Sequence, residues 1–140
     1  EPFLLTHHEA SWTSIGDYDG PVKYPGLLVD SADVDAIEDA QLREEVSRRN
    51  GIYNKDILEK MMLKPIQKAR ELNLQLYCGE WGCLPTVSRK SFLNWYGDMH
   101  DIMQDYNIAW TNWDYKGGFG VVDSRMDDDP IEDLIDLLMK

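Results

Sequence analysis

Leu74-Gln75-Leu76-Tyr77-Cys78-Gly79-Glu80-Trp81-Gly82 is the stretch on which the reading of this chain turns. Large apolar residues crowd its first half and a glycine ends it, which predicts a short buried strand over 74–78. Upstream, Ile57, Leu58, Met61, Met62, Ile66 and Ala69 recur at helical spacing and predict a helix over 53–72, with a kink or break at Pro65. Downstream, Phe92, Trp95, Tyr96, Met99, Ile102 and Met103 mark a second helix over 90–106. Residues 108–113, rich in β-branched and aromatic side chains, read as a second strand. Gly117-Gly118 breaks the pattern, and residues 119–122 extend again. A last helix is signalled by Asp129 as N-cap, Pro130 at the first position, and Glu132 and Asp133 in the first turn.

Strands alternating with helices predict parallel βα units. Two strands alone make a poor parallel sheet, because such a sheet needs both faces covered. The α/β pattern therefore reads as a piece of something larger. Residues 3–30 hold Trp12, Tyr18 and Tyr24 among Gly16, Gly20, Pro21, Pro25 and Gly26, the composition of a long ordered loop. Residues 31–50 follow as a short charged helix with Ser31 as its N-cap.

The 140 residues amount to one domain's worth of chain, and 43% hydrophobic content is enough for a core. A net charge of −12, from 26 acidic and 14 basic residues, argues against a nucleic-acid partner and tolerates a neutral one such as a polysaccharide. The two cysteines, Cys78 and Cys83, lack the spacing of a metal site. Cys78 reads as a buried apolar side chain and Cys83 as a loop thiol, with a disulfide between them second in rank. No apolar run approaches the ~18 residues of a membrane span. The first residues lack the basic region and cleavage site of a signal peptide.

Two stretches carry chemistry. Glu80 lies at the carboxyl end of the first strand, where catalytic groups sit in a (β/α)8 barrel. Simple alternation puts Leu76, Cys78 and Glu80 on one face, and a carboxylate on an apolar face is costly without a task or partner. The alternative is a capping or ion-paired acid at a loop start. The second stretch, Ala109-Trp110-Thr111-Asn112-Trp113-Asp114-Tyr115-Lys116-Gly117-Gly118-Phe119-Gly120, also ends a strand. Its indoles suit the apolar face of a sugar ring, and Asn112, Asp114 and Lys116 suit the hydroxyls at the ring's edge. Against this, Trp110 or Trp113 serves equally as barrel-wall core, and Trp12 as loop packing. His100 reads as a surface residue.

Three motifs in order bring a resemblance. Gly79-Glu80-Trp81-Gly82, followed by Trp113-Asp114-Tyr115-Lys116-Gly117-Gly118-Phe119-Gly120-Val121-Val122-Asp123, resembles strands seven and eight of glycoside hydrolase family 5. Pro2-Phe3-Leu4-Leu5-Thr6-His7-His8-Glu9-Ala10-Ser11-Trp12 is similar to that family's segment after strand six, where bacterial endoglucanases commonly read Pro-Phe-x-Phe-Thr-His-Gln-Gly-Ala-x-Trp. His8 and Glu9 depart from the usual Gln-Gly. The resemblance implies the C-terminal portion of a (β/α)8 barrel, incomplete on its own. Residues 1–52 would be the long loop and short helix after strand six, and 53–140 helix six with βα units seven and eight.

It further implies that Glu80 is the nucleophile of a retaining β-1,4-glucanase. Trp113 would lie under the sugar at the cleavage site with Asp114 beside it. His7 and Trp12 would line the cleft, and Lys116 is a further substrate contact. The family's acid/base follows an Asn on strand four, with a catalytic His and Tyr on strand six, all upstream of Glu1. No Asn-Glu pair occurs in the chain. The implied partners are a β-glucan (or mannan or xyloglucan) and the missing N-terminal part of the barrel, with no metal or organic cofactor and an exported location. The rivals are a non-catalytic carbohydrate-binding or structural fragment, and a metabolic barrel enzyme using Gly117–Gly120 to hold phosphate.

Overall fold

The computed structural model describes residues 1–123 and 129–140. At its centre lie two parallel neighbouring strands, β3 (Tyr77–Trp81) and β4 (Ala109–Asn112). Five elements come before helix α4 (Lys55–Glu71): α1 (Phe3–Thr6), β1 (Gly26–Leu27), α2 (Ser31–Asp35), α3 (Ala40–Arg49) and β2 (Ile52–Tyr53). Helix α4 leads into β3, and α5 (Arg89–Asp105) leads into β4. The chain closes with β5 (Lys116–Gly117), β6 (Val122–Asp123), β7 (Asp129–Pro130) and α6 (Glu132–Leu138). α4 lies beside α5 and α5 beside α6, a row of helices along one side of the β3–β4 pair. Two further small sheets stand apart: antiparallel β1–β2, and β5–β6–β7.

Both long helices end by the same device. Asn73 and Asn107 each take φ of +52°, the left-handed conformation that asparagine tolerates. The amide of Asn73 bonds the carbonyl of Arg70 and that of Leu74 bonds Ala69, at 3.1 and 2.9 Å. Asn107 and Ile108 repeat the pattern on Gln104 and Met103, at 3.0 and 2.8 Å. These paired closures turn the chain off the helix and aim it back along the sheet. The first explains why β3 begins at Tyr77 rather than Leu74: the helix closure consumes Asn73 and Leu74, and Leu74 is left 64% exposed.

Register between β3 and β4 pairs Tyr77 with Ala109, Cys78 with Trp110 and Trp81 with Asn112. Gly79 and Glu80 therefore stand opposite Thr111 alone, a bulge. The expected alternation of faces fails here. Tyr77 is exposed and Trp81 is buried, although simple period-two counting gives them one face.

The core is aromatic around Trp81, whose ring lies 5.1 Å from Tyr96, 5.4 Å from Trp110 and 5.9 Å from Trp95. The N-terminal segment closes its other side with Leu4, Leu5, Ile15, Tyr18, Tyr24, Leu28 and Val29. It is tied down by Tyr24 N to Ser91 Oγ at 3.0 Å and Leu84 N to Thr6 O at 3.0 Å. Fixed contacts with α5 and with the residues after β3 thus hold most of the long loop in place.

Several local expectations are corrected. The helix foreseen over 31–50 is two helices, with Asp30 rather than Ser31 at the first N-cap position and Asp39 accepting from Leu42 N at 2.7 Å to start the second. α4 runs unbroken through Pro65, because the burial of Leu58, Ile66 and Ala69 on both sides outweighs one missing donor. Asp129 and Pro130 form β7 instead of capping α6, since Ile131 is buried and its amide bonds Val121 O at 2.8 Å. The cysteines exchange roles. Cys83 is fully buried with its thiol pushed up by desolvation, while Cys78 is half-buried, and both are free. His100 is buried, not superficial, because its face of α5 meets β4, where its ring stands edge-on to Trp110 at 5.6 Å.

Candidate functional site

The turn that ends β3 is built around two opposed demands. Trp81 goes inward as the hub of the aromatic core, and the bulge leaves Glu80 outward. Gly82 follows where no side chain fits: a Cβ there would collide with the carbonyl of Trp113 and stand 3.1 Å from Phe119 Cβ. The amide of Trp113 donates to Trp81 O at 2.8 Å, so the carboxyl ends of β3 and β4 are locked together.

Between these ends lies a cleft of about 280 Å³ lined by Glu1, His7, Glu80, Trp81, Gly82, Trp113 and Phe119. Glu80 is exposed in it and Trp113 is half exposed, at 51%. The Trp113–Asp114 peptide is cis. His7 stacks on Phe3 with ring centroids 4.2 Å apart and planes at 9°, and its Nδ1 lies 2.9 Å from Thr6 Oγ1. Burial holds the His7 imidazole below its usual 6.5, with Glu1, 4.0 Å away, pulling in the other direction. His7 is therefore neutral near pH 7, with donor and acceptor roles set by its tautomer.

The structure brings Glu80, His7 and Trp113 into one cleft. Trp12 is 66% exposed and stands outside that lining, one ring further on, edge-on to Phe119 at 6.3 Å. Asp114 turns its carboxylate against Gly117, where a Cβ would collide with it, and its Oδ1 is buried with no hydrogen-bond partner among the described residues. Lys116 is exposed in β5, away from the cleft lining. Asn112, read from sequence as a sugar contact, is turned inward: its amide donates to Asp114 O at 3.1 Å and Phe119 O at 3.2 Å, and its oxygen accepts from Tyr96.

Sequence reasoning missed two lining residues. Phe119 was legible only as a ring between Gly118 and Gly120, and Glu1 carried no signal at all. Larger hollows occur elsewhere, one of about 530 Å³ beside Arg89 and Asp133 and one of about 370 Å³ between Asp17–Pro21 and α2–α3. Neither has a strand-end carboxylate facing an exposed indole, so the smaller cleft is the better candidate. Among the described residues no group of three or more His, Cys, Asp or Glu is placed to hold a metal ion.

Two parallel strands, helices along one side and a carboxylate cleft at the strands' carboxyl ends are the arrangement found within part of a (β/α)8 barrel. Solved structures agree. Cel5A of Thermotoga maritima, determined with cellobiose, matches with a TM-score of 0.67 at 18% identity over 99% of this chain and 36% of its own, and has also been determined with mannotriose. A further crystal structure described as a glycoside hydrolase matches with a TM-score of 0.70 at 23% identity, over 99% and 38%.

In sequence, the chain is 28% identical over 116 residues to Endoglucanase C of Acetivibrio thermocellus, covering 82% of this chain and 34% of that protein. It is 28% identical over 130 residues to Endoglucanase 3 of Fibrobacter succinogenes, covering 89% and 20%. No protein-family model matches. The chain thus resembles part of an endoglucanase, and spans about a third of the length of the first of these relatives and a fifth of the second.

Proposed function

We propose that the chain forms the nucleophile side of the active site of a retaining endo-β-1,4-glucanase of glycoside hydrolase family 5. The observation that carries this reading is the placement of Glu80: an exposed carboxylate at a parallel strand's carboxyl end, opening into the same cleft as the indole of Trp113.

In the retaining reaction the Glu80 carboxylate attacks the anomeric carbon as the glycosidic bond breaks. The leaving oxygen takes a proton from a second carboxylic acid, which then activates the water that releases the ester. Trp113 supports the sugar face, and neutral His7 contributes a polar edge to the cleft wall. Trp12 extends the aromatic surface beyond the cleft. Asp114, and Lys116 of β5, lie beside it and reach hydroxyls only at its rim.

On this reading the acid/base lies in the remainder of a barrel that this chain completes. A groove beside β3 gives that remainder a seat, lined by the apolar Leu58, Met61, Met62, Trp95 and Met99 and reaching Glu1 and Glu80 at its end. The 140-residue chain alone then turns over no polysaccharide. β-1,4-Glucan is the first choice of substrate, with mannan and xyloglucan of the same class, and export to the periplasm, cell surface or medium accompanies it. No helix among the described residues is long and apolar enough to cross a membrane.

The test separates the nucleophile from the acid. A 2-deoxy-2-fluoro cellobioside with an activated leaving group needs no proton donor, so it should esterify Glu80, seen as an adduct by peptide mass spectrometry and absent in Glu80→Gln. An adduct on another residue would sink the assignment. Turnover of carboxymethyl-cellulose by the chain alone, abolished in Glu80→Gln, would place a proton donor within these residues. Glu1, the other carboxylate in the cleft lining, would then be tested as Glu1→Gln. An aromatic cleft also suits sugar binding without turnover, and cello-oligosaccharide binding without an adduct on Glu80 would favour that.

A further inference from the structure

Phe119 has no assigned part in the chemistry above, yet it is the ring that joins His7 in the cleft to Trp12 beyond it. Its ring stands edge-on to His7 at 5.4 Å on one side and to Trp12 at 6.3 Å on the other. It lines the cleft with Glu80 and Trp113, and its Cβ closes over Gly82. Without it, Trp12 would have no ring contact to the cleft among the described residues.

The position of Phe119 is fixed from the core. The amide of Cys83 donates to the Tyr96 hydroxyl at 3.2 Å, that hydroxyl donates to Asn112 Oδ1 at 3.0 Å, and Asn112 Nδ2 donates to Phe119 O at 3.2 Å. Tyr96 and Cys83 are fully buried, so this chain of bonds is held rigidly. The flanking glycines serve the same end. A Cβ on Gly118 would press on Leu84 at 3.1 Å, and one on Gly120 would stand under 3 Å from the carbonyls of Tyr115 and Val122. A half-buried ring on a backbone anchored so firmly is placed to meet something.

We propose that Phe119 is both a substrate contact and the positioning residue of this cleft, holding His7 and Trp12 in one aromatic wall with Trp113, so that the site grips a β-linked oligosaccharide rather than one sugar. This rests on the sugar-cleft reading above and adds to it the residue that sets the wall.

The experiment uses the full chain, with Phe119→Ala and the conservative Phe119→Tyr. The His7 ring protons are followed by NMR across pH, and cellotetraose affinity by calorimetry. In Phe119→Ala the His7 titration midpoint should rise toward 6.5, because an edge that buries it is gone, and cellotetraose should bind about tenfold more weakly, the effect of one lost aromatic contact. Phe119→Tyr should keep both near the unaltered values. A His7 midpoint unmoved in Phe119→Ala, or cellotetraose affinity equal to that of the unaltered chain, would overturn the proposal. Failure of the unaltered chain to bind cellotetraose would instead overturn the sugar-cleft reading, while the His7 midpoint would still decide the positioning role.

Discussion

The hydroxyl of buried Tyr96 donates to Oδ1 of Asn112 at 3.0 Å and accepts from the amide of Cys83 at 3.2 Å. One side chain of α5 therefore satisfies groups from the ends of both central strands. Removing it leaves a buried amide and a half-buried carbonyl unpaired. Tyr96→Phe should cost about 1–3 kcal/mol, the penalty for stranding such groups, read as a lower urea midpoint at unchanged slope. A midpoint equal to that of the unaltered chain would show that water replaces the hydroxyl.

Gly82 is sterically required where the strand ends meet. In Gly82→Ala the new methyl has no room between Trp113 O and Phe119 Cβ, so the two strand ends must part. The expected loss is about 1–3 kcal/mol of stability, typical of overpacking. Changed near-ultraviolet dichroism from Trp113 should accompany it. Full stability in this variant would mean that the contact between the ends of β3 and β4 is slack.

His7 gives a pH dependence with a definite sign. Its folded-state pKa lies below the 6.5 of the unfolded chain because burial disfavours the charged ring. The unfolded state thus binds the proton first, so the contribution is complete above 6.5 and declines as pH falls below it. NMR titration of the ring should give a midpoint under 6.5. In His7→Gln the fall in stability just below pH 6.5 should be shallower than in the unaltered chain.

Glu45 ties α3 to the loop that bears Trp12. It accepts from Ser14 at 2.7 Å, from Arg48, and from Arg49, and these bonds hold its carboxyl down at about 2. Here the folded pKa is depressed, so the contribution is present above the usual 4.5 and is lost as pH falls toward 2. Carbon-13 titration of the Glu45 carboxyl should show the low midpoint. Ser14→Ala should raise it and loosen the Trp12 loop, seen as stronger acrylamide quenching; an unchanged midpoint would deny the link.

The strand–helix order was legible because periodicity is a local property: the stripes of α4 and α5 and the apolar run before Gly79 need no knowledge of distant residues. Element ends are less local. Leu74 has strand composition but serves to close α4, and Asp129-Pro130 has cap composition but pairs with β6, since in each case a backbone bond formed across the fold decides. Glu80, Trp113 and His7 were singled out from residue type and motif, and they do share a cleft. Asn112 suits a sugar hydroxyl by residue type alone; the partner that turns it inward, Tyr96, lies on another element.

By itself the sequence determined the βα repeat, the acid at a strand's end, the aromatic residues near it and the glycines that let the backbones approach. Only the tertiary structure decided that a bulge at Gly79–Glu80 separates outward Glu80 from inward Trp81, that Cys83 and His100 are buried, and that Phe119 joins Trp12 to the cleft. The physical reason is range. Propensity and periodicity act between near neighbours along the chain, whereas burial, register and the partners of a polar group depend on what folding brings alongside.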